Sequence, residues 1–177
     1  MCFAISDIQS QLQYGGARPS LFQVNIFNPL DGRGQLKQPF MIMAASLPPS
    51  TLGVIPVPYF GRTINVAGVR QYDQWQVEVI NDEDFLVRSG FEAWVAKINT
   101  PVTNIRATGT SAPAAYKSRG QVLQYSQTGE VIKTYNFEGL IPLQVGQIQL
   151  SWQAGNQIEI FPVTFALDEF TIVGEIE

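Results

Sequence analysis

With 177 residues, 45% of them hydrophobic and only 15% charged, the chain suits one domain (1–177) with a real core and much neutral surface. Its net charge of −4, without any run of like charge, excludes tight capture of DNA phosphates by a basic face. Histidine is absent and the single cysteine is Cys2, which rules out an imidazole base, a Cys–His nucleophile and a thiolate zinc site.

In chain order, residues 21–27, "LFQVNIF", read as a short strand ending at the turn "NPLDGRG", where Asn28, Pro29, Asp31 and two glycines supply turn chemistry. Residues 40–46, "FMIMAAS", form a continuous apolar run, the pattern of a strand covered on both faces. The next stretch, 46–60, holds Pro48, Pro49, Pro56 and Pro58 among Leu47, Leu52, Val54, Ile55, Val57, Tyr59 and Phe60. Proline cannot donate to a central ladder, so this stretch is expected to be an extended apolar loop outside regular structure. A greasy loop sent into water marks a contact site.

Residues 61–68 alternate Thr63 and Asn65 against Ile64 and Val66. Residues 73–80 set Trp75, Val77 and Val79 against Gln74, Gln76 and Glu78, a half-buried strand. A helix is predicted over about 82–99, with Asn81 or Asp82 as N-cap and Val87, Phe91, Trp94, Val95 and Ile98 as its apolar stripe. Gly90 weakens its middle by about 1 kcal/mol, so packing must hold it, and Phe91 and Trp94 read as core plugs. Further strands follow at 120–126, 130–139 and 147–152, and one long strand at 157–173 with Pro162 at an edge or bulge. Turn signals at such intervals indicate an all-β sandwich or barrel.

Little of this suggests catalysis. Asp73, Glu78, Asp82, Glu83 and Asp84 crowd one region, but acidic residues ahead of a helix complement its dipole. "GVRQYDQW" and "GGARPS" match neither phosphate-binding nor dinucleotide fingerprints, and no cofactor is expected. The lone cysteine suits a reducing compartment. No apolar run is long enough for a bilayer helix and no signal-like start is visible, so the expected chain is cytoplasmic, unprocessed and not inserted in a membrane.

The order of a strand, a Pro-rich apolar segment, "YFGRTINVAG", "QYDQWQVEVINDEDF" and "VRSGFEAWVAKI" resembles the tail tube proteins of contractile-tailed bacteriophages. "YNFEGLIPLQVGQIQLSW", a polar turn and "IEIFPVTFALDEF" are similar to the second half of that family. The resemblance spans roughly residues 20–172. Residues 1–18 and 109–119 depart from the family pattern.

The resemblance implies a mainly β fold: a small barrel or sandwich of two roughly orthogonal antiparallel sheets with one flanking helix. It further implies hexameric rings stacked into a tube inside a sheath, a conduit for DNA in the virion. The implied partners are the chain itself, the sheath protein, and baseplate, tape-measure and tail-terminator proteins, with DNA passing unbound. Under this reading Leu52, Val54, Ile55, Val57, Tyr59 and Phe60 make subunit and inter-ring contacts. Thr63, Asn65, Gln124, Ser126, Thr134 and Asn136 would then give a neutral polar face to the lumen. The alternatives are the tube of a contractile injection system or type VI-like apparatus, whose cargo is protein, and a soluble β-barrel binding module for a ligand such as carbohydrate, using Tyr72, Trp75 and Trp152.

Overall fold

The computed structural model describes residues 5–12 and 14–174; Cys2 lies outside them. In chain order the elements are α1 (Ile5–Gln11), β1 (Phe22–Ile26), α2 (Gln38–Met41), β2 (Ile42–Ala45), β3 (Ser50–Tyr59), β4 (Arg62–Tyr72) and β5 (Trp75–Ile80). They continue with α3 (Leu86–Ile98), α4 (Pro113–Tyr116), β6 (Ser118–Tyr125), β7 (Val131–Val145), β8 (Ile160–Ala166) and β9 (Glu169–Val173).

Seven strands join in one antiparallel path, β1-β6-β7-β8-β5-β2, with β9 added on β7. The path folds over at β7. Residues up to Glu138 pair with β9, the pairing with β6 runs on across a bulge to Leu140, and residues from Ile141 onward pair with β8. Gly139 stands at the corner with φ +70°, and an added Cβ there would lie 2.2 Å from the Asp168 carboxylate. Only glycine turns this corner without strain. The two layers share one core, in which Val24, Val122 and Phe137 meet Trp75, Val77, Phe161 and Phe165. The Trp75 indole stacks on Phe137 at 4.5 Å, joining one layer to the other. Since β1 and β2 do not pair with each other, the path stays open, and the fold is a sandwich rather than a closed barrel.

The alternation read in residues 73–80 holds: Trp75, Val77 and Val79 are fully buried while Gln76 and Glu78 are exposed. The helix stripe holds as well. Phe91 and Trp94 meet Phe165 at 5.8 and 6.2 Å, and the buried Trp94 Nε1 donates to the Tyr116 carbonyl at 3.0 Å. Gly90 lets the 28–37 segment approach, since a Cβ there would lie 2.7 Å from the Arg33 carbonyl oxygen. The cap differs from the expectation. Phe85 is the N-cap, in a left-handed conformation at φ +52°, and Asp84 Oδ1 accepts from the Leu86 amide at 3.1 Å. Asn81 is instead buried, its amide donating to Glu159.

Four other expectations are corrected. Residues 46–60 are not a loop, because 50–59 form β3. The 40–46 run yields a one-turn helix and then a short edge strand paired only with β5, with Phe40 and Met43 exposed. Residues 147–152 form no strand. Pairing of β7 along β8 stops at Gly146, whose amide donates to the Pro162 carbonyl while proline returns no N–H. Arg88 Nη1 donates to the Gly146 carbonyl instead, at 3.3 Å. Finally, 157–173 splits into β8 and β9 at Leu167–Asp168. That segment follows β7 round its corner and must bend opposite Gly139.

Candidate functional site: an apolar hairpin and a neutral polar sheet face

β3 and β4 form a two-stranded sheet of their own, closed by the turn Phe60–Gly61 with φ values of +42° and +78°. Two positive φ values describe the turn type whose twist suits a two-residue hairpin. Tyr59 and Arg62 flank this turn as a hydrogen-bonded pair, so positions 58 and 56 alternate to non-hydrogen-bonded sites. Pro58 and Pro56 therefore aim their missing amides away from β4, and no ladder bond is lost. Prolines also deny a foreign strand donors along that free edge. The sequence rule against proline applies to strands flanked on both sides, and β3 has one neighbour among the described residues.

Cross-strand partners share a face. Ile55–Val66, Val57–Ile64 and Tyr59–Arg62 thus form an apolar ladder on one side, and Val54–Ala67, Pro56–Asn65 and Pro58–Thr63 lie on the other. All six expected contact residues are solvent-exposed, Phe60 most of all at 91%. They do not form one surface, since Val54 points away from Ile55, Val57 and Tyr59, and Leu52 lies beyond a bulge. Ile64 and Val66 complete the ladder, and their alternation with Thr63 and Asn65 was the signal for them.

The residues expected at a lumen are dispersed. Thr63 and Asn65 sit on the proline side of the hairpin. Thr134 and Asn136 share the outer face of the β1-β6-β7-β9 layer, where Asn136 Oδ1 accepts from Gln121 Nε2 at 3.0 Å. Register places Gln124 on the other side of that layer, beside Phe22 and Lys133. Ser126 belongs to a turn, its hydroxyl accepting from the amides of Thr128 and Glu130. The polar face is completed by Gln23, Asn25, Gln121 and Thr171, with Leu123 and Val173 as its apolar members. Neither of these two rows contains a charge. The next row holds Arg119, Glu138 and Glu169.

The acidic region is tied to the neighbouring loop. Lys37 Nζ bonds the carboxylates of Asp82 and Asp84, the latter at 2.5 Å. Both carboxyls are held below the usual range, first by that hydrogen bond and then by backbone amides, and Lys37 is raised by Asp82 and then Asp84. Among the described residues, no group of three His, Cys, Asp or Glu side chains is placed to hold a metal ion. A cavity of about 680 Å³ opens between residues 14–18 and the β6–β7 turn, with Tyr14, Arg18, Tyr125 and Glu130 in its wall. It contains none of the aromatic trio weighed for a binding module: Trp75 is buried, and Trp152 stands fully exposed on the 146–159 loop. No helix is long and apolar enough to cross a membrane among the described residues.

The family model described as phage tail tube protein matches residues 17–173. The chain is 38% identical over 166 residues to tail tube protein gp19 of Enterobacteria phage T4, covering 93% of this chain and 97% of the relative. Among solved structures, it is similar in fold to a chain of the anti-feeding prophage baseplate, 6-fold symmetrised. There the TM-score is 0.65 at 14% identity, over 90% of this chain and 96% of the other. A chain of an extracellular contractile injection system, the PVC sheath–tube complex in the extended state, gives 0.62 at 13%, over 98% and 100%.

Proposed function

The chain belongs to the phage tail tube protein family, and from that membership we propose that six copies form a ring and that stacked rings make a DNA conduit inside a contractile sheath. The role is structural, and the tail of the virion is its place of action. The observation that carries this reading is the hairpin ladder: apolar side chains on both strands, exposed in the subunit. Burying them against another copy removes apolar area from water at roughly 25 cal/mol per Å². The preformed, proline-stiffened strand loses little entropy on docking.

Ring closure has its own support. Among the described residues, one edge of β1 and one edge of β9 have no strand partner, and they bound the same four-stranded layer. Pairing β9 of one subunit with β1 of the next continues that layer around a ring and removes two exposed edges. Its outer face, with Asn25, Gln121, Thr134, Asn136 and Thr171, then lines the bore. A neutral wall lets a genome slide, because each cation there would add salt-dependent attraction to phosphate. The sheath protein, baseplate, tape-measure and tail-terminator proteins are the proposed partners.

A tube for protein cargo is the second reading, favoured by the fold likeness to injection-system chains. The phage reading is preferred on 38% identity over nearly the whole chain. Negative-stain microscopy of the purified protein over a concentration series tests the proposal. Rings or tubes of uniform bore are expected, and a protein that stays monomeric at every concentration, with or without sheath, overturns it.

A further inference from the structure

We propose that one internal water is built into the subunit between the 28–38 segment and α3, held by the side-chain amide of Gln38 and the backbone carbonyl of Arg33. The site lies within a single copy, so its occupancy does not depend on assembly. Gln38 opens α2 and is only 4% exposed. Glutamine is mostly a surface residue, and a buried one brings two N–H donors and a carbonyl that need partners. Its Nε2 has no acceptor among the described residues. Buried polar groups of this kind are met by protein or by ordered water, because an amide stripped of hydration without return is costly.

The space beside Gln38 has the size of one water. A cavity of about 10 Å³ is walled by Arg33, Gly34 and Gln38 on one side and by Val87, Gly90 and Phe91 of α3 on the other. That volume admits about one water-sized sphere and nothing larger. Two glycines create it by letting backbone meet backbone. A Cβ on Gly34 would lie 2.9 Å from the Val87 α-carbon, and one on Gly90 would lie 2.7 Å from the Arg33 carbonyl oxygen. The segment and the helix therefore approach closely where neither glycine can send a side chain between them.

The wall also supplies the second partner. No backbone amide among the described residues donates to the Arg33 carbonyl, whereas the next carbonyl, of Gly34, accepts from both Lys37 and Gln38. Asn28, the other amide side chain at this cavity, is already committed. Its Nδ2 donates to the Gly90 carbonyl at 3.0 Å, and its Oδ1 accepts from the amides of Leu30 and Asp31. The site thus offers a donor from Gln38 and an acceptor from Arg33. A metal cation has no use for the donor and an anion has none for the acceptor. Water accepts from the first and donates to the second, and such a bridge is nearly as good as a direct bond. It adds a tie between the segment and α3 to those made by Asn28 and by Lys97, whose ammonium donates to the Leu30 carbonyl.

Two measurements on the wild-type protein test the site. A density map of the subunit, or of tubes where it assembles, is taken to a resolution that shows ordered solvent. It should contain one peak within hydrogen-bond distance of both Gln38 Nε2 and the Arg33 carbonyl oxygen. In solution, NOE spectra should place the Gln38 side-chain amide protons against a water whose cross-peaks carry the sign of a long-lived, protein-bound molecule. Gln38→Met keeps the length of the side chain and removes both donors, so loss of those cross-peaks identifies them, and the peak in the map should go as well. A wild-type map with no peak, or with one bonded to only one of the two groups, overturns the proposal, even where the variant fails to fold. Amide protons whose water contact has the sign of mobile surface hydration overturn it too. So does a peak that persists unchanged in the Gln38→Met protein, because Gln38 would not then be what holds it.

Discussion

Trp94 shows how much one side chain does. Its indole is fully buried, contacts Phe165 and satisfies its N–H on the Tyr116 carbonyl, so it ties α3, β8 and α4 together. Trp94→Ala removes the ring and leaves that carbonyl without its donor, and is expected to destabilise the subunit by about 3–5 kcal/mol. Thermal unfolding of the two proteins measures it, and an unchanged midpoint refutes it. Lys37 acts through charge instead. Its pair with Asp82 and Asp84 lowers both carboxyls, so the stabilisation is present above the unfolded carboxylate value of about 4 and lost as pH falls through the lowered folded values. The raised Lys37 sets the other limit, its contribution being lost only as pH rises through its elevated value. Lys37→Met should thus be less stable than wild type near neutrality, with the gap closing on acidification and shrinking with salt. A gap that stays constant from pH 7 to pH 2 argues against the ion pair.

At the scale of elements, the hairpin is held only lightly by the rest of the chain. Its long sides pair only with each other, while Tyr72 at its base meets Phe170 at 5.2 Å. Changes on its exposed ladder should therefore spare the sandwich. Ile55→Ser with Phe60→Ser is expected to leave the melting temperature within error of wild type and to prevent stacking, giving rings or single subunits by microscopy. Tubes of unchanged length contradict this, and global unfolding shows that the ladder supports its own subunit. Element identity was legible where one neighbour decided it: the 73–80 alternation and the 87–98 stripe came directly from side-chain period. It was not legible in 46–60, where proline is forbidden or harmless according to which edge of the strand is paired.

For the whole molecule, the neutral face of the β1-β6-β7-β9 layer is the feature a bore requires. Thr134→Lys with Asn136→Lys adds two positive charges per subunit to adjacent rows of that face. If the face lines the channel, tubes still assemble at moderate salt but DNA ejection slows. The delay should fade as ionic strength rises, by the log–log salt slope of about −0.9 per phosphate neutralised. Normal ejection at low salt from fully assembled mutant tails, or disturbed sheath attachment instead, places those residues on another surface.

Composition, side-chain period and proline content determined that this is a mainly β chain with one packed helix, an exposed apolar segment, and no imidazole or paired-thiol chemistry. These are properties of single segments, and each is set by residues within a few positions of one another. Which polar residues share a face was decided only by tertiary pairing. Gln124 and Thr134 look equivalent in their own strands, yet the register between β6 and β7 puts Leu123, not Gln124, opposite Thr134. A shift of one residue reverses every side chain of a strand, and that shift is fixed by turns, bulges and core packing between distant segments. The same holds for the loop ahead of α2 and the start of α3, which Lys37 joins by bonding Asp82 and Asp84, 45 and 47 residues away along the chain.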